Sequence, residues 1–465
     1  MIIRPIILTG GSGTRLWPVS RKNIPKPYIP MFKNKTLLEI TLQRVISIKY
    51  FAKPLIICSK NHDFMVRDIL NKLKIEATLM LEPEGKGTAA AIYLAAVLSD
   101  KNEYLFIMPS DHIFQQDKEL NDLVFKLRKI HNNVDWILFG IKPTFASTEY
   151  GYIEIDINLN KNNKKLTDII FDVNSFKEKP KKRKAEDYFK RKNYFWNSGM
   201  FFANVNMIKK SIKKISPNLV GSCDLVFQRS SFNKFRDEFS FDFELFQKIP
   251  SNSIDFEVIE KSNNIKAVML DCEWSDVGTW DSISKVKQNE IKNKNIIQVN
   301  SKNNFIETAN RLIATIDINN CIIIDTPDTT LIAKKGSSHK IQEVVKKINN
   351  KTTHLNNNHL NELKPWGCFQ ILFESKTCKV KKLEIKPLHR ISLQYHNFRS
   401  EHWLVVEGNA IIHLDGKIFE LNKGQSIDIP VKKNHYIHNN TNKPLIIIET
   451  QMGTYFGEDD IIRID

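Results

Sequence analysis

Cysteine is scarce and scattered in this chain. Six occur in 465 residues, at positions 58, 223, 272, 321, 368 and 378, with no CxxC pair among them. That scatter argues against a disulfide framework and for reduced, mostly structural thiols. Long apolar runs are also missing: Pro54–Cys58 and Tyr104–Met108 are strand-length and far short of a membrane span. The opening Met1-Ile-Ile-Arg-Pro has no cationic start followed by an apolar signal core, so a cytoplasmic location is expected. No low-complexity tract points to disorder. An aromatic-interleaved basic stretch of the RNA-binding kind is lacking as well. That absence matters because the formal net charge is +17. The lysines are spread along the chain among asparagines and isoleucines, as in Lys161-Asn-Asn-Lys-Lys165. A nucleic-acid or membrane partner is therefore not expected, and phosphorylated small molecules fit the basic balance.

What is present is ample apolar material, 42% of residues, on a chain long enough for two or three domains. Ile2–Leu8, Pro54–Cys58, Tyr104–Met108 and Trp136–Gly140 read as buried strands. Leu37–Ser47, Asp63–Leu73 and Thr88–Leu98 carry helical spacing between them. The alternation predicts an α/β sheet that is largely parallel, with ligands bound beyond the carboxyl ends of its strands. Residues 300–335 hold short β-rich pieces (Arg311–Ile316, Cys321–Asp325, Thr330–Ala333), and Ser338–Ile348 reads as a connecting helix. The polar stretch 349–361 reads as a linker. From Lys364 onward β-type segments follow one another with no convincing helix until Asp459, which predicts a small all-β barrel or sandwich. The expected parts are 1–290, a β-rich connector 291–350, and 351–465.

The first chemical signal is LTGGSGTRLWPVSRKNIPKP at residues 8–27. It is not a Walker A loop, since Gly-Lys-Ser/Thr is absent, and Leu16 stands where a dinucleotide fingerprint has its third glycine. A strand followed by Gly10, Gly11, Gly13, Thr14 and Arg15 still brings backbone N–H groups and a guanidinium to an anion. Lys26, between Pro25 and Pro27, offers a second cation. Glu82-Pro83 precedes GKGTAAAI, with Gly87 and Thr88 opening a helix of small residues. Asp111 in PSDH ends a strand, and Asp276 in WSDVGTW gives a second candidate metal carboxylate. Glu149-Tyr-Gly-Tyr-Ile153, Phe176-Lys-Glu-Lys-Pro180 and Trp196-Asn-Ser-Gly-Met200 complete the set.

In this order the segments resemble the sugar-1-phosphate nucleotidyltransferases, specifically the mannose-1-phosphate guanylyltransferases, through about residue 285. The resemblance implies a Rossmann-like nucleotide-diphospho-sugar transferase fold and transfer of GMP from GTP to α-D-mannose 1-phosphate, giving GDP-mannose and pyrophosphate. Gly10, Gly11, Gly13, Thr14 and Arg15 would cradle the triphosphate, and Glu82, Gly87 and Thr88 would lie on the nucleotide. Lys26 and Arg15 would neutralise charge, Asp111 and Asp276 would hold Mg²⁺, and Gly151, Glu178, Lys179 and Asn197 would surround the sugar phosphate. Two positions depart from the family. Lys86-Gly87-Thr88-Ala89-Ala90 stands where it has an Arg-Asn-Thr-Ala-Pro-like run, and Pro27 stands in place of Gln. Base preference is left open by these departures.

The C-terminal part carries a second signal. Gln394 and His396 sit two apart, so a strand points both to one face. Glu401, Gly424–Pro430, His435 and Asn439 follow. These resemble the paired motifs of the cupin barrel, with Gln in place of the first His as in phosphomannose isomerases. Gln394, His396, Glu401 and His435 would bind a divalent transition metal, with zinc suited and iron, cobalt or manganese open. His402 should point the other way. The tail GTYFGEDDIIRID also resembles the bifunctional guanylyltransferase/isomerase type, which implies interconversion of fructose 6-phosphate and mannose 6-phosphate in the barrel and a role in polysaccharide precursor supply. Arg463 is the candidate for the sugar phosphate or proton transfer, against a surface ion pair with Asp459 or Asp460. The isomerase base is not named by the sequence. Leu388-His389 replaces a Gly-Glu-type turn after Pro387. The other reading is a guanylyltransferase whose barrel is a structural or sugar-sensing module. The partners expected are GTP, mannose 1-phosphate and hexose 6-phosphates, and homo-oligomerisation stays open.

Overall fold

The computed structural model describes residues 2–11, 13–46, 48, 50–114, 117–127, 134–156, 170–287, 294–349 and 359–464. Most of the expected linker 349–361 and the composition change just after Lys287 lie outside the described residues, as do Ser12 and Ser47. By their contacts the residues form two compact units. One comprises Met1–Leu16, Pro25–Lys292 and Gly336–His339; the other comprises Trp17–Ile24, Asn293–Lys335 and Lys340–Asp465.

The first unit is built on an eleven-stranded sheet. Ile3–Leu8 lies near its centre, parallel to Leu55–Ser59 on one side and to Tyr104–Pro109 on the other. Thr78–Glu82 continues the parallel half beyond Leu55–Ser59, followed by Glu238–Ser240. The expectation of a largely parallel sheet holds for this half, whereas in the other half Trp136–Ile141 and Ile265–Leu270 run parallel among antiparallel neighbours. Tyr194–Asn204 runs antiparallel to both Tyr104–Pro109 and Trp136–Ile141, and Ile170–Lys177 runs antiparallel to Ile265–Leu270 and Tyr152–Ile155. Apolar runs report burial and leave strand direction unspecified, so they carry no sign of the reversal.

The helix Thr88–Leu98 is buried along Ala89–Ala96 and packs in the main core with Ile6, Leu105 and Ile107 of the central strands. Its small residues allow close approach of helix to sheet. Trp196–Met200 lies inside the strand Tyr194–Asn204, where the pairing register shifts between Asn197 and Phe201.

In the second unit the connector is a short coil. Ile296–Val299 pairs parallel with Ile313–Ile316, and Phe305–Thr308 with Cys321–Asp325, each strand stacking on the one 17 residues later. Side chains repeat the same step: Asn303 Nδ2 donates to Asn320 Oδ1 at 2.6 Å and Cys321 N to Asn304 Oδ1 at 2.9 Å. A turn of Ser338–Lys340 leads into the helix Ile341–Asn349.

The C-terminal part is two antiparallel sheets, one of six strands and one of five, closing on a core that includes Phe369, Leu383, Trp403, Ile412 and Ile447. The element near Asp459 is a single 3₁₀ turn, Glu458–Asp460. All six cysteines are free. Among the described residues no helix is long and apolar enough to cross a membrane.

Candidate active sites

Because Ile3–Leu8 and Tyr104–Pro109 are parallel neighbours, their carboxyl ends deliver Gly10, Gly11, Gly13, Thr14 and Asp111 to the same edge of the sheet. The short turn Lys26–Tyr28, which follows Pro25 and contains Pro27, returns the chain to that edge. Tyr28 Oη donates to Thr9 Oγ1 at 3.0 Å, tying the turn to the end of the first strand. Lys26 is 4% exposed. Its Nζ donates to Asp111 Oδ2 at 2.9 Å and to the backbone carbonyl of Asp276. Lys26, Asp111 and Asp276 are therefore brought together, although 250 residues separate the first from the last. Burial works against the charge on Asp111, but Lys26 outweighs it and holds the carboxyl below its ordinary range. His112 is pushed down by burial, with Lys26 adding to the effect. Arg15 pairs with Glu149 at 2.8 Å on a half-exposed stretch.

Asp276 is oriented by two donors on Oδ1, Tyr150 Oη at 2.8 Å and Gly278 N at 3.2 Å. Tyr150 is fixed in turn by edge contacts with Trp196 and Trp274, both at 5.1 Å. A Cβ at Gly278 would come within 2.5 Å of Asp276 Oδ2, so the glycine leaves that oxygen its room. Two carboxylates presenting oxygen, one with such a cradle, fit a hard cation such as Mg²⁺.

Glu82 ends its strand half-buried, but its Oε1 is buried with no hydrogen-bond partner, and burial of the carboxyl pushes it up to about 8. Gly87 caps the following helix at φ +80°, where a Cβ would strike the Asn252 carbonyl at 2.4 Å. Thr88 Oγ1 accepts from Ile254 N at 2.8 Å. Gly87 and Thr88 are thus engaged with the 252–254 segment.

The four predicted sugar-phosphate residues converge. A Cβ on Gly151 would lie 2.5 Å from Glu178 Oε2, its carbonyl accepts from Asn197 N at 2.8 Å, and Lys179 pairs with Glu178 at 3.5 Å. Asp255, which the sequence does not single out, accepts from Asn197 Nδ2 at 2.8 Å. Burial pushes both Glu178 and Asp255 up, and the charge of Asp255 raises Glu178 further. In the sequence Tyr150 stands out only as an aromatic beside a glycine, and Asp255 lies in a short helix, Ile254–Glu257, with no motif around it.

In the barrel, the strand Arg399–Glu407 supplies Glu401, and His435 opens the strand His435–His438 opposite Gln394. One ligand atom from each of His396, Glu401 and His435 lies within 4.8 Å of the others. His396 Nε2 is 3.1 Å and His435 Nε2 3.6 Å from Glu401 oxygens. Their Nδ1 atoms are occupied by the carbonyls of Asp460 and Lys433, at 3.1 and 2.8 Å. Such bonds put the proton on Nδ1 and leave Nε2 as a lone-pair donor. Both Nε2 atoms are buried without a hydrogen-bond partner. Burial opposes the charge on Glu401, and only with both imidazoles protonated do His396 and His435 hold its carboxyl well below the usual range. This donor set fits a divalent transition metal.

His402 is half-exposed and bonded to Asp428 at 2.7 Å, on the other face as expected. Gln394, Glu401 and Arg463 line one cavity of about 540 Å³. Asp460 accepts from Asn397 N and lies 3.6 Å from Arg399, while Asp459 accepts from Tyr455 Oη. The sequence does not flag Glu449 and Gln451, which line the same cavity from the strand Leu445–Gly453.

Comparison with known proteins covers both halves. A nucleotidyl transferase family model matches residues 4–293, a mannose-P isomerase/GMP-like β-helix domain 294–348, and a mannose-6-phosphate isomerase C-terminal domain 349–465. The alginate biosynthesis protein AlgA of Pseudomonas fluorescens is 33% identical over 99% of this chain and 95% of its own length. A mannose-1-phosphate guanylyltransferase of Salmonella muenchen is 34% identical over 99% and 98%. Among solved structures, a Thermus thermophilus protein described as a mannose-1-phosphate geranyltransferase superposes with a TM-score of 0.65, at 25% identity, over 75% of this chain and 99% of its own. The chain belongs to the mannose-1-phosphate guanylyltransferase family in its two-part form, a nucleotidyl transferase domain joined to a mannose-6-phosphate isomerase C-terminal domain.

Proposed function

We propose that the first unit transfers GMP from GTP to mannose 1-phosphate and that the barrel interconverts mannose 6-phosphate and fructose 6-phosphate, so that one chain supplies GDP-mannose for polysaccharide synthesis. The observation carrying the transfer is buried Lys26 bridging Asp111 and Asp276 at the strand ends beside the glycine loop. A phosphate oxygen of the sugar attacks the α-phosphorus of GTP, and the bond to the oxygen bridging to the β-phosphorus breaks, releasing pyrophosphate. Positioning and charge neutralisation supply most of the catalysis. Gly10, Gly11, Gly13 and Thr14 cradle the triphosphate, with Arg15 as a further phosphate contact once released from Glu149. Mg²⁺ held by Asp111 and Asp276 would offset phosphate charge. Glu178 and Asn197 orient the sugar, and Lys179 faces its phosphate. The unpartnered Glu82 oxygen suits the donor edge of guanine, where N1–H and the 2-amino group both need acceptors.

For the barrel, the observation is the pair of buried, unpartnered Nε2 atoms aimed at Glu401. Gln394 completes the ligand set, and zinc or another divalent ion there would polarise the carbonyl and hydroxyl of an open-chain sugar. Arg463 lines the same cavity, which supports a role for it in holding the sugar phosphate. A cytoplasmic location fits these soluble substrates.

The test is a panel of GTP, ATP, UTP and dTTP against mannose 1-phosphate and glucose 1-phosphate with Mg²⁺, beside a coupled assay for fructose 6-phosphate. GTP with mannose 1-phosphate should give the highest kcat/KM. His396→Ala should abolish interconversion and leave GDP-mannose synthesis intact. Loss of both activities, or no fructose 6-phosphate from the metal-loaded full chain, would make the barrel a structural or sugar-sensing module.

A further inference from the structure

Aldose–ketose interconversion needs a base that takes a proton from C2 and returns it to C1. The four ligand residues cannot serve while they hold a metal, so the base must come from elsewhere in the cavity. Among the described residues lining it, two carboxylates stand outside the ligand set, Glu449 and Glu458. The Glu458 side chain is 43% exposed; burial of its carboxyl opposes the charge, but Lys381 and Lys364 outweigh it and hold the group below its ordinary range. That makes it a weak base. The arginines and lysines of the cavity present donors and no acceptor, and His389 is exposed with its Nδ1 on the Pro387 carbonyl.

Glu449 differs on each point. It is buried, 6% exposed, on the strand Leu445–Gly453 next to Arg399–Glu407, where Trp403 is its cross-strand partner. Trp403 Nε1 donates to Glu449 Oε2 and to Glu401 Oε2, both at 3.1 Å. Gln451 Nε2 donates to Glu449 Oε1 at 2.8 Å and to Glu401 Oε1 at 3.0 Å. Two shared donors therefore lock the Glu449 carboxylate beside the metal ligand Glu401. Lys381 Nζ, also buried, stands 3.9 Å from Glu449 Oε1. Gln451 Oε1 is buried with no partner, an acceptor left open for a hydroxyl in the cavity.

We infer that Glu449 is the proton-transferring base of the isomerase site and that Gln451 receives a sugar hydroxyl beside it; this rests on the isomerase reading of the barrel. From open-chain mannose 6-phosphate, Glu449 takes the proton on C2. The C2–H pair forms the C1–C2 double bond, and the carbonyl pair moves to O1. The hydroxyl proton of O2 passes to neighbouring O1. Collapse of the enediolate forms the C2 carbonyl, and Glu449 returns its proton to C1, giving fructose 6-phosphate. One carboxylate serving both carbons can carry the C2 hydrogen to C1, so part of it should be retained in the product. The phosphate end would be met by cations that also line the cavity, among them Lys364, Arg390 and Arg463.

The experiment uses the full, metal-loaded chain and mannose 6-phosphate deuterated at C2. For the wild type, NMR should show fructose 6-phosphate with part of the deuterium on C1 and part lost to water. Glu449→Gln should lower kcat by roughly 10³-fold and stop deuterium loss. Metal content, mannose 6-phosphate KM within about threefold, and GDP-mannose synthesis should be retained. Glu449→Asp, which keeps a carboxylate set back by one methylene, should restore measurable exchange; it is also the variant read if Glu449→Gln does not fold. Exchange within a few-fold of wild type in Glu449→Gln, or an unchanged kcat in Glu449→Asp, overturns the assignment. A wild-type chain without interconversion overturns instead the isomerase reading on which it rests.

Discussion

At the residue scale, the N-terminal chemistry depends on a few side chains whose surroundings are costly to build. Lys26 is buried with its ammonium spent on Asp111 and a backbone carbonyl, so its charge is fixed before any phosphate arrives. Preorganised charge of this kind stabilises charge that grows in the transition state. Lys26→Met should therefore cut guanylyl transfer by roughly 10²–10³-fold in kcat, read by pyrophosphate release, while mannose 6-phosphate turnover is unchanged. Glu82 makes a different prediction. It is neutral below about 8 because burial disfavours its charge. Guanine offers two donors, which a carboxylate accepts better than a carboxylic acid that must itself donate. GTP KM should thus fall as pH rises from about 6.5 through 8. Glu82→Gln should flatten that dependence and lower the GTP-to-ATP preference by roughly tenfold or more. A pH-independent KM in the wild type would remove Glu82 from base recognition.

At the element scale, the strands and turns decide which residues meet. Gly151 opens the strand region facing Glu178, and the absence of a side chain there lets the carboxylate lie against the backbone. Gly151→Ala would place a methyl 2.5 Å from Glu178 Oε2 and 2.9 Å from Phe176 Cζ, so one of them must move. Displacement of this order in a positioning residue costs up to roughly 10²-fold. The loss should show as a raised KM for mannose 1-phosphate with GTP binding unaltered, measured by steady-state kinetics. The ends of elements are legible in the sequence wherever a pattern changes. Thr88–Leu98 and Asp63–Leu73 emerge with their expected limits, because helical spacing there is bounded by glycine or polar residues. Strand direction is not legible, since Tyr194–Asn204, antiparallel to its neighbours, carries apolar runs like those of the parallel pair Ile3–Leu8 and Tyr104–Pro109. The 17-residue step of the connector is legible in principle, with Asn303 stacked on Asn320 and Phe305 on Ile322, but only by comparing the chain with itself. Motif residues such as Asp111, Asp276, His396 and Glu401 announce themselves by their neighbours. Asp255, Glu449 and Gln451 do not, because what recruits them is a hydrogen bond to a residue distant in sequence.

At the scale of the whole molecule, contact and sequence order disagree. Trp17–Ile24 lies between the glycine loop and Lys26 in sequence, yet it belongs to the compact unit that holds the connector and the barrel. Its anchor is Arg21, fully buried, whose two terminal nitrogens each bond an oxygen of Asp328 at 2.6 Å, while His359 bonds the Val19 carbonyl at 3.0 Å. Removing one partner of a buried ion pair leaves the other charge without compensation. Asp328→Asn should accordingly destabilise this unit by about 3–5 kcal/mol, read from its urea midpoint. Acid should act on the same contact. Burial and the Arg21 charge push His359 down to about 4. Burial opposes the charge on Asp328, but Arg21 outweighs it and holds the carboxyl below its ordinary range. Both groups bind fewer protons folded than unfolded, so both contribute stability that is lost as pH falls. For His359 the loss runs from the ordinary histidine range near 6.5 down through about 4; for Asp328 it begins below about 4. The melting temperature of this unit should therefore drop between about pH 7 and about pH 4.5. His359→Gln, which keeps a donor for the Val19 carbonyl and cannot charge, should lower the slope over that interval. Equal slopes for the two proteins would mean that His359 accepts its proton in the folded chain, and that the Arg21 anchor tolerates a second positive charge beside it.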